Sequence, residues 1–124
     1  MRRFCHTIDK NMRQIYNILM KIYLLRKSIT DLKNPIVRTE YETSASTVRE
    51  FVTEMVNKNY AARRVKDSLA DCIAVALTEF EDGGYYVVNT TRDIKYSALD
   101  QDLEMHENDE VVLIKLKYLR GIIW

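Results

Sequence analysis

The feature that most restricts the fold of this chain is an acidic turn that leads directly into an apolar strand. The predicted strand runs from Val111 to Tyr118, and Lys115 and Lys117 lie on one side of it. The alternate members are all apolar: Val112, Ile114, Leu116 and Tyr118. A strand whose first residues are apolar on both faces is typical of the centre of a sheet. We therefore expect a central last strand, with Ile114 and Leu116 packed beneath a helix.

Two amphipathic helices are predicted in the middle of the chain. In the first, Thr47–Asn59, Thr47 and Glu50 match the Ser/Thr-x-x-Glu pattern of an N-terminal capping box. The second, Ser68–Phe80, has a capping serine at its start and ends at Gly83-Gly84. Apolar residues recur at helical spacing in both. Those of the first helix are Val48, Phe51, Val52, Met55 and Val56.

Period-two patterns predict strands on both sides of the helices. Ile22–Leu25 and Ile36–Tyr41 precede the first helix and are expected to form an antiparallel hairpin. Tyr85–Thr90 follows the second helix, and Ile94–Tyr96 is a further short strand fragment. Because alternate strand residues point to opposite faces, one of Tyr85 and Tyr86 should be buried and the other exposed.

Composition and charge restrict the class of protein. The 124 residues are enough for one domain with a modest core, at 47% hydrophobic and 30% charged residues. A net charge of +1 gives the whole chain no electrostatic reason to bind nucleic acid. No segment approaches the length of an apolar membrane span, and Cys5 and Cys72 do not make a disulfide framework. The predicted location is the cytoplasm.

The N-terminal segment differs in charge from the rest. Residues 1–19 carry four arginines and lysines against one aspartate, and their apolar residues form a stripe if the segment is helical. This stripe contains Phe4, Ile8, Met12, Ile15 and Leu19. We interpret the segment either as a basic amphipathic extension or as a dispensable leader before a start at Met20. The predicted domain comprises residues 20–124.

The sequence shows no pattern of catalytic, metal-ligating or cofactor-binding residues. A phosphate-binding glycine loop, a Cys-x-x-Cys pair and a nucleophile elbow are all missing. The acidic run from Asp100 to Glu110 does not have the ligand offsets of a calcium loop, so it is interpreted as solvated surface. His106 within this run is interpreted as a turn residue. We predict that the protein is not an enzyme and uses neither metal nor cofactor.

The order strand, strand, helix, short strands and long last strand resembles that of the β-grasp (ubiquitin-like) superfamily. Residues 99–118, LDQDLEMHENDEVVLIKLKY, are similar to the ending of sulfur-carrier and TGS domains, where a leucine, an acidic stretch and a Gly-Asp-x-Val turn precede the last strand. Asn108 replaces the glycine, and asparagine is the next best residue at positive φ. The resemblance implies an α+β fold, with a mixed sheet of four or five strands packed on Thr47–Asn59 and flanked by the second helix.

In that superfamily the C-terminal tail decides the chemistry. Sulfur carriers and ubiquitin-like modifiers end in Gly-Gly, because a sterically bare tail can enter an activating enzyme. Here Leu119-Arg120-Gly121 is followed by Ile122, Ile123 and Trp124. The resemblance makes Gly121 a candidate processing site for a carrier or modifier matured by proteolysis. The alternative is that Gly121 forms a turn that folds the last residues back onto the domain.

The predicted function is a small, non-enzymatic, bacterial-type adaptor. It would dock a protein partner, or a second copy of itself, through its sheet face and its apolar tail. The candidate contact residues are Lys115, Lys117, Tyr118, Arg120, Ile122, Ile123 and Trp124. The alternatives are a carrier or modifier matured after Gly121, and a TGS-like module that contacts RNA through Lys115, Lys117 and residues 60–66. A plainer interpretation is that the lysines only keep an exposed strand face hydrated.

Overall fold

The computed structural model describes residues 19–29 and 37–123, which form five strands and two helices. The strands are β1 (Met20–Ser28), β2 (Arg38–Thr43), β3 (Tyr85–Asn89), β4 (Ile94–Tyr96) and β5 (Glu110–Lys115). The helices are α1 (Val48–Ala62) and α2 (Leu69–Glu81), and both lie between β2 and β3 in the chain. The predicted α+β class, with one mixed sheet and two helices, is confirmed.

The five strands form one sheet in the order β2-β1-β5-β3-β4. β1 and β5 are parallel neighbours, whereas the β1–β2, β3–β5 and β3–β4 pairs are antiparallel. The predicted hairpin of the first two strands and the central position of the last strand are therefore confirmed. Since β5 has a partner on each side, its ladder groups are hydrogen-bonded in both directions.

Both helices pack on one face of this sheet, which we call the inner face. The predicted apolar stripe of α1, from Val48 to Val56, is buried completely or nearly so. The sheet contributes to the same core Ile22 and Leu24 from β1 and Leu113 from β5. Burial of these apolar groups is the main driving force for the fold.

Capping residues set the first turns of both helices, as their sequences predict. The Thr47 hydroxyl accepts a hydrogen bond from the Glu50 N–H at 3.2 Å, and the Ser68 hydroxyl accepts one from the Asp71 N–H at 3.1 Å. The Glu50 carboxylate also accepts from the N–H of Ser46 at 2.7 Å, just before the cap. These bonds satisfy donors that lack partners within a helix.

The predicted orientation of the last strand is wrong. Val111 and Leu113 are fully buried on the inner face, whereas Val112 lies outside the main core. The strand ends at Lys115, so Leu116 and Tyr118 follow it rather than belong to it. Four consecutive apolar residues, 111–114, allow either alternation, and the parallel register that places Val111 beside buried Leu24 selects one.

The turn before β5 combines a confirmed prediction and a corrected one. Asn108 adopts a φ of 69°, in agreement with its glycine-like position. Asp109 is not solvated: it is 2% exposed, and its Oδ2 accepts bonds from Arg92 Nε at 2.7 Å, from Asn89 Nδ2 and from the His106 N–H. A buried carboxylate needs such donors, and together they fix the entry into β5.

Some predictions fall on residues that the structure does not describe. The amphipathic stripe of the N-terminal segment lies outside the described residues except for Leu19, which is 54% exposed. Trp124 also lies outside them. Across the described ranges, none of the helices has the length and apolar character needed to cross a membrane.

Candidate interaction surface

The sheet has a second, outer face on the side away from the helices. Alternation along the strands directs Leu25, Val88, Val112 and Ile114 to it, and none of these four belongs to the main hydrophobic core. Leu25 is paired with Val112, and Val112 with Val88, so the three form one apolar row across β1, β5 and β3. The Ile114–Tyr86 pair forms the adjacent row. We call these five residues the outer patch.

The outer patch is compact, and part of it is already shielded by neighbouring side chains. Val112, in the centre, is 9% exposed, and the surrounding members are partly buried. The predicted contrast between the two tyrosines of β3 holds for Tyr85, which is 1% exposed on the inner face. Tyr86 is partly buried rather than exposed, because the ammonium of Lys95 lies 4.2 Å from the centre of its ring.

Three cationic side chains occupy the edges of the outer patch. Arg38 is paired with Leu25, and Lys95 with Val88, so these cations flank the ends of the three-residue apolar row. Lys27 is paired with Ile114 and flanks the second row. Each cation lies beside an apolar row, where it can pair with an anionic group carried by a molecule that covers the patch.

The opposite end of the outer face carries carboxylates beside Lys21, whose ammonium lies 5.1 Å from the centre of the Tyr23 ring. Glu40 and Glu110 are the neighbours of Tyr23 on its two sides. The guanidinium carbon of Arg38 lies 3.9 Å from the centre of the Tyr23 ring, and Arg38 Nε lies 3.6 Å from a Glu110 carboxylate oxygen. Because this ion pair is exposed on both sides, it contributes little to stability. Arg38 therefore connects the apolar rows with the carboxylates at this end of the face.

The candidate contact residues predicted from the sequence are placed elsewhere. Lys115 is paired with buried Tyr85 and lies on the inner side of the sheet, where it is partly buried. Lys117, Tyr118 and Arg120 are exposed, but they lie beside α2 instead of on the outer face. The predicted basic and aromatic patch on the outer face is therefore not formed by these residues, because the chain leaves the sheet after Lys115.

A groove separates this segment from α2. Its volume is about 500 Å³, and Tyr118 beside it is 83% exposed. Glu79 and Asp82 contribute charged side chains to the helix side, opposite Lys117 and Arg120. The walls thus carry both signs of charge, with apolar surface between them.

The C-terminal tail is held against the domain by two polar side chains. One oxygen of the Glu79 carboxylate accepts from the Arg120 N–H at 2.7 Å, and the other accepts from the Gly121 N–H at 3.1 Å. The side-chain amide of Asn59 donates to the carbonyl of Ile122. We call Glu79 and Asn59 the tail clamp. It bonds the backbone of the tail, so the sequence of the tail gives no sign of it.

Three tail residues complete this arrangement. A Cβ at Gly121 would lie 2.8 Å from a Glu79 carboxylate oxygen and 3.3 Å from Val75, so glycine allows the close approach. Ile123 is fully buried within its own domain, and Ile122 is partly buried. The turn alternative for Gly121 agrees with this placement. In this conformation Ile123 presents no surface to a partner.

The two largest pKa shifts among the described residues belong to tyrosines of the core. Burial raises the pKa of Tyr41 and of Tyr85 far above the ordinary value of a phenol, and nearby carboxylates add to the effect. The Tyr41 hydroxyl donates to Glu54 at 3.1 Å, and the Tyr85 hydroxyl donates to the carbonyl of Ala76 at 2.8 Å. These phenols act as satisfied core groups, so their shifted pKa values have a structural explanation.

The described residues hold no group of three or more His, Cys, Asp or Glu side chains that could bind a metal ion. Cys72 is buried in the core, where a thiol packs as a small apolar group.

Comparison with known proteins found no match among protein-family models, curated proteins or solved structures.

Proposed function

We propose that this chain is a small protein-interaction module of the β-grasp type, which docks a protein partner through the outer patch. The β-grasp assignment is supported by the strand order, with parallel β1 and β5 at the centre of a mixed sheet that packs on α1. The interaction proposal rests on one observation: an apolar strip crosses three strands on the face opposite both described helices. Apolar surface of this kind is typical of contact sites.

The charges around the outer patch define the chemistry of the partner. Lys27, Arg38 and Lys95 border the apolar rows. A segment with apolar anchors and flanking aspartates or glutamates would bury the rows and pair with these cations. Aromatic and arginine side chains contribute strongly to binding energy at interfaces, and Tyr86 and Arg38 are of these types.

The position of the tail changes its role in this proposal. Ile123 packs inside its own domain, and Glu79 bonds the backbone on the N-terminal side of it. The tail therefore stabilises the inner layer, while the outer patch provides the docking surface. The alternative function as a carrier has weaker support, because cleavage after Gly121 would first require release of the tail from Glu79.

The test compares two lysine substitutions in a partner-capture experiment with cross-linking in cells of the natural host. Ile114→Lys places a charge in the outer patch, whereas Ala70→Lys places one on the exposed side of α2 as the matched control. Loss of a central contact residue typically weakens binding by about tenfold or more. We expect that loss for Ile114→Lys alone, with cross-links to the partner located on β1, β3 and β5.

Two results would contradict the proposal. Equal recovery with Ile114→Lys and wild type, for a variant with unchanged thermal unfolding, would show that the partner binds elsewhere. The second result is a wild-type dimer in sedimentation analysis that becomes a monomer when Ile114 is replaced by lysine. The outer patch would then bind a second copy of this chain and not a different protein. Intact-mass measurement on the native protein tests the carrier alternative, which requires loss of the residues after Gly121.

A further inference from the structure

The two edges of the described sheet differ in length. One edge is β4, which has only three residues, whereas the other is β2, which has six. Within the described ranges, β1 is the one strand that pairs with β2. A very short edge strand offers little to another chain, but a longer one presents a row of backbone donors and acceptors that a further strand can pair with. The edge of β2 is therefore a candidate contact site.

The hydrogen bonds of β1 identify the residues of β2 that face this edge. The N–H of Tyr23 donates to the carbonyl of Asp109 at 2.9 Å, on the side of β5. The odd-numbered residues of β1 thus bond towards β5, and the even-numbered residues bond towards β2. In the β1–β2 register, even-numbered residues of β1 lie opposite odd-numbered residues of β2. The backbone groups that point away from β1 belong to Arg38, Glu40 and Glu42.

A lysine from α1 closes one end of the edge. The ammonium of Lys58 donates to the carbonyl of Glu42 at 2.6 Å and lies 3.8 Å from the centre of the Tyr41 ring. This bond agrees with the outward direction of the Glu42 carbonyl, and it occupies an acceptor that another strand would need. Among the described residues, no bond of this kind is found for the outward backbone groups of Arg38 and Glu40. The open part of the edge is the first half of β2.

We propose that a second copy of this chain binds the edge, with the two β2 strands antiparallel and the two Thr39 residues opposite each other. In this register, Arg38 of each copy lies opposite Glu40 of the other copy. Each of these two pairs exchanges two backbone hydrogen bonds, as outward-facing residues of antiparallel neighbours do. The contact is the same for both copies and is closed by a two-fold axis. Two sheets of five strands would join into one continuous sheet.

The side chains beside the open edge select this register. A shift of one pair in either direction places Arg38 opposite Arg38 or Glu40 opposite Glu40, and like charges directly opposite each other are destabilising. In the proposed register each arginine meets a glutamate. Arg38 Nε already lies 3.6 Å from Glu110, but that ion pair is exposed on both sides and the guanidinium has further N–H donors. The backbone bonds supply the affinity of such a contact, and the side chains fix the register.

The same register covers an exposed apolar side chain. Val37 immediately precedes β2 and is 64% exposed. Two positions before Thr39, it lies opposite Tyr41 of the second copy. Because apolar burial does not depend on ionic strength, this contact keeps part of the affinity when salt screens the charged pairs.

The first test uses a cysteine cross-link to read the register. Opposite residues of a pair without backbone hydrogen bonds have Cα atoms about 4.5 Å apart, which a disulfide can bridge. We therefore expect mild oxidation of Thr39→Cys to join the two positions 39. Val37→Cys is the matched control, because the two positions 37 are separated by several residues along the paired strands. Peptide mass mapping distinguishes these bonds from any bond to Cys5 or Cys72.

The second test reverses charges and measures the dimer by sedimentation analysis. The wild type should form a growing fraction of dimer at concentrations up to about 1 mM, the range of weak association. Glu40→Arg places arginine opposite arginine in both pairs and should weaken the dimer by about tenfold or more. The double variant Arg38→Glu, Glu40→Arg restores opposite charges and should recover the dimer. Glu81→Arg, on the exposed side of α2, makes the same charge change as the control.

Several results would overturn the proposal. A wild type that stays monomeric over this whole concentration range would exclude the contact. Equal cross-linking of Thr39→Cys and Val37→Cys would indicate random collision, and a dimer unaffected by Glu40→Arg would place the contact elsewhere. Ile114→Lys should retain the edge dimer, because its side chain lies on the outer patch. Partner capture through that patch can therefore fail while the edge dimer is found, and the reverse also holds.

Discussion

The two faces of the sheet differ in what accounts for their apolar residues. On the inner face, Ile22, Leu24 and Leu113 are at most 1% exposed, because α1 and α2 pack against that side. On the outer face, Leu25 and Ile114 lie in equally apolar rows, but no described helix packs on them. Folding explains the first set. Folding alone does not explain the second set, and it is the basis of the docking surface that we propose.

The largest expected effect is the difference in stability between truncating a side chain on the inner face and truncating one on the outer face. Leu113→Ala removes a fully buried side chain and should lower the free energy of unfolding by about 2–5 kcal/mol. Ile114→Ala, one residue later on the outer face, should lower it by about 1 kcal/mol or less. Urea denaturation of both variants measures the difference. Equal losses would show that the outer patch belongs to the core.

The second prediction concerns the tail clamp, which holds the C-terminal tail against the inner layer. Glu79→Gln keeps the shape of the side chain but removes the charge that accepts from the two tail amides. We expect a loss of about 1–2 kcal/mol, at the lower end for charged hydrogen bonds because the contact is partly exposed. Urea denaturation measures this loss, with Glu81→Gln on the exposed side of the same helix as the control. Equal rates of hydrogen exchange at the Ile123 amide in the two variants would show that Glu79 does not hold the tail in place.

The buried tyrosines predict a pH dependence that belongs to the inner layer. Because burial raises the pKa of Tyr41 and Tyr85 in the folded state, the unfolded chain loses these protons first. Their contribution to stability is complete below about pH 10 and falls above it by up to about 1.4 kcal/mol per pH unit and tyrosine. Urea denaturation between neutral and alkaline pH measures the decline.

The double variant Tyr41→Phe, Tyr85→Phe should be less stable at neutral pH, because two hydrogen bonds are lost, but its stability should decline less steeply in alkali. An unchanged alkaline slope would contradict the assignment of this effect to the two phenols.

The smallest expected effect concerns the helix that covers the inner face. Thr47→Ala removes the cap of α1 and should lower the free energy of unfolding by about 1 kcal/mol. Thr47→Ser keeps the hydroxyl and should restore most of it. If thermal unfolding cannot distinguish Thr47→Ala from wild type, packing of α1 on the sheet determines its stability without help from the cap.

The sequence predicts the secondary-structure elements more accurately than it predicts which face of the sheet each strand residue occupies. Helical spacing and the caps at Thr47 and Ser68 locate both helices closely, since these are local interactions. The direction of Val111 to Leu113 depends on pairing with β1, a distant segment, and so local alternation could not decide it.

The candidate sites are even harder to predict from local sequence patterns than the faces of the strands. Leu25 and Val88 look like ordinary strand residues until the register aligns them with Val112. Glu79 is one acidic residue among several on α2, and its role depends on the position of the tail amides. Arg26 resembles a solvent-exposed strand residue, and only its place on the inner face shows that its Nε–H is buried. All of these depend on three-dimensional contacts between distant segments.

The pairing of β1 with β5 has a consequence for how the protein reaches its fold. The centre of the sheet joins segments from opposite ends of the described chain, and closing such a long loop is entropically slow. During synthesis, β1 must remain without its central partner until β5 has left the ribosome. We therefore expect the growing chain to expose unpaired strand edges and apolar surface that chaperones recognise. The sheet should be completed only after translation of the last strand.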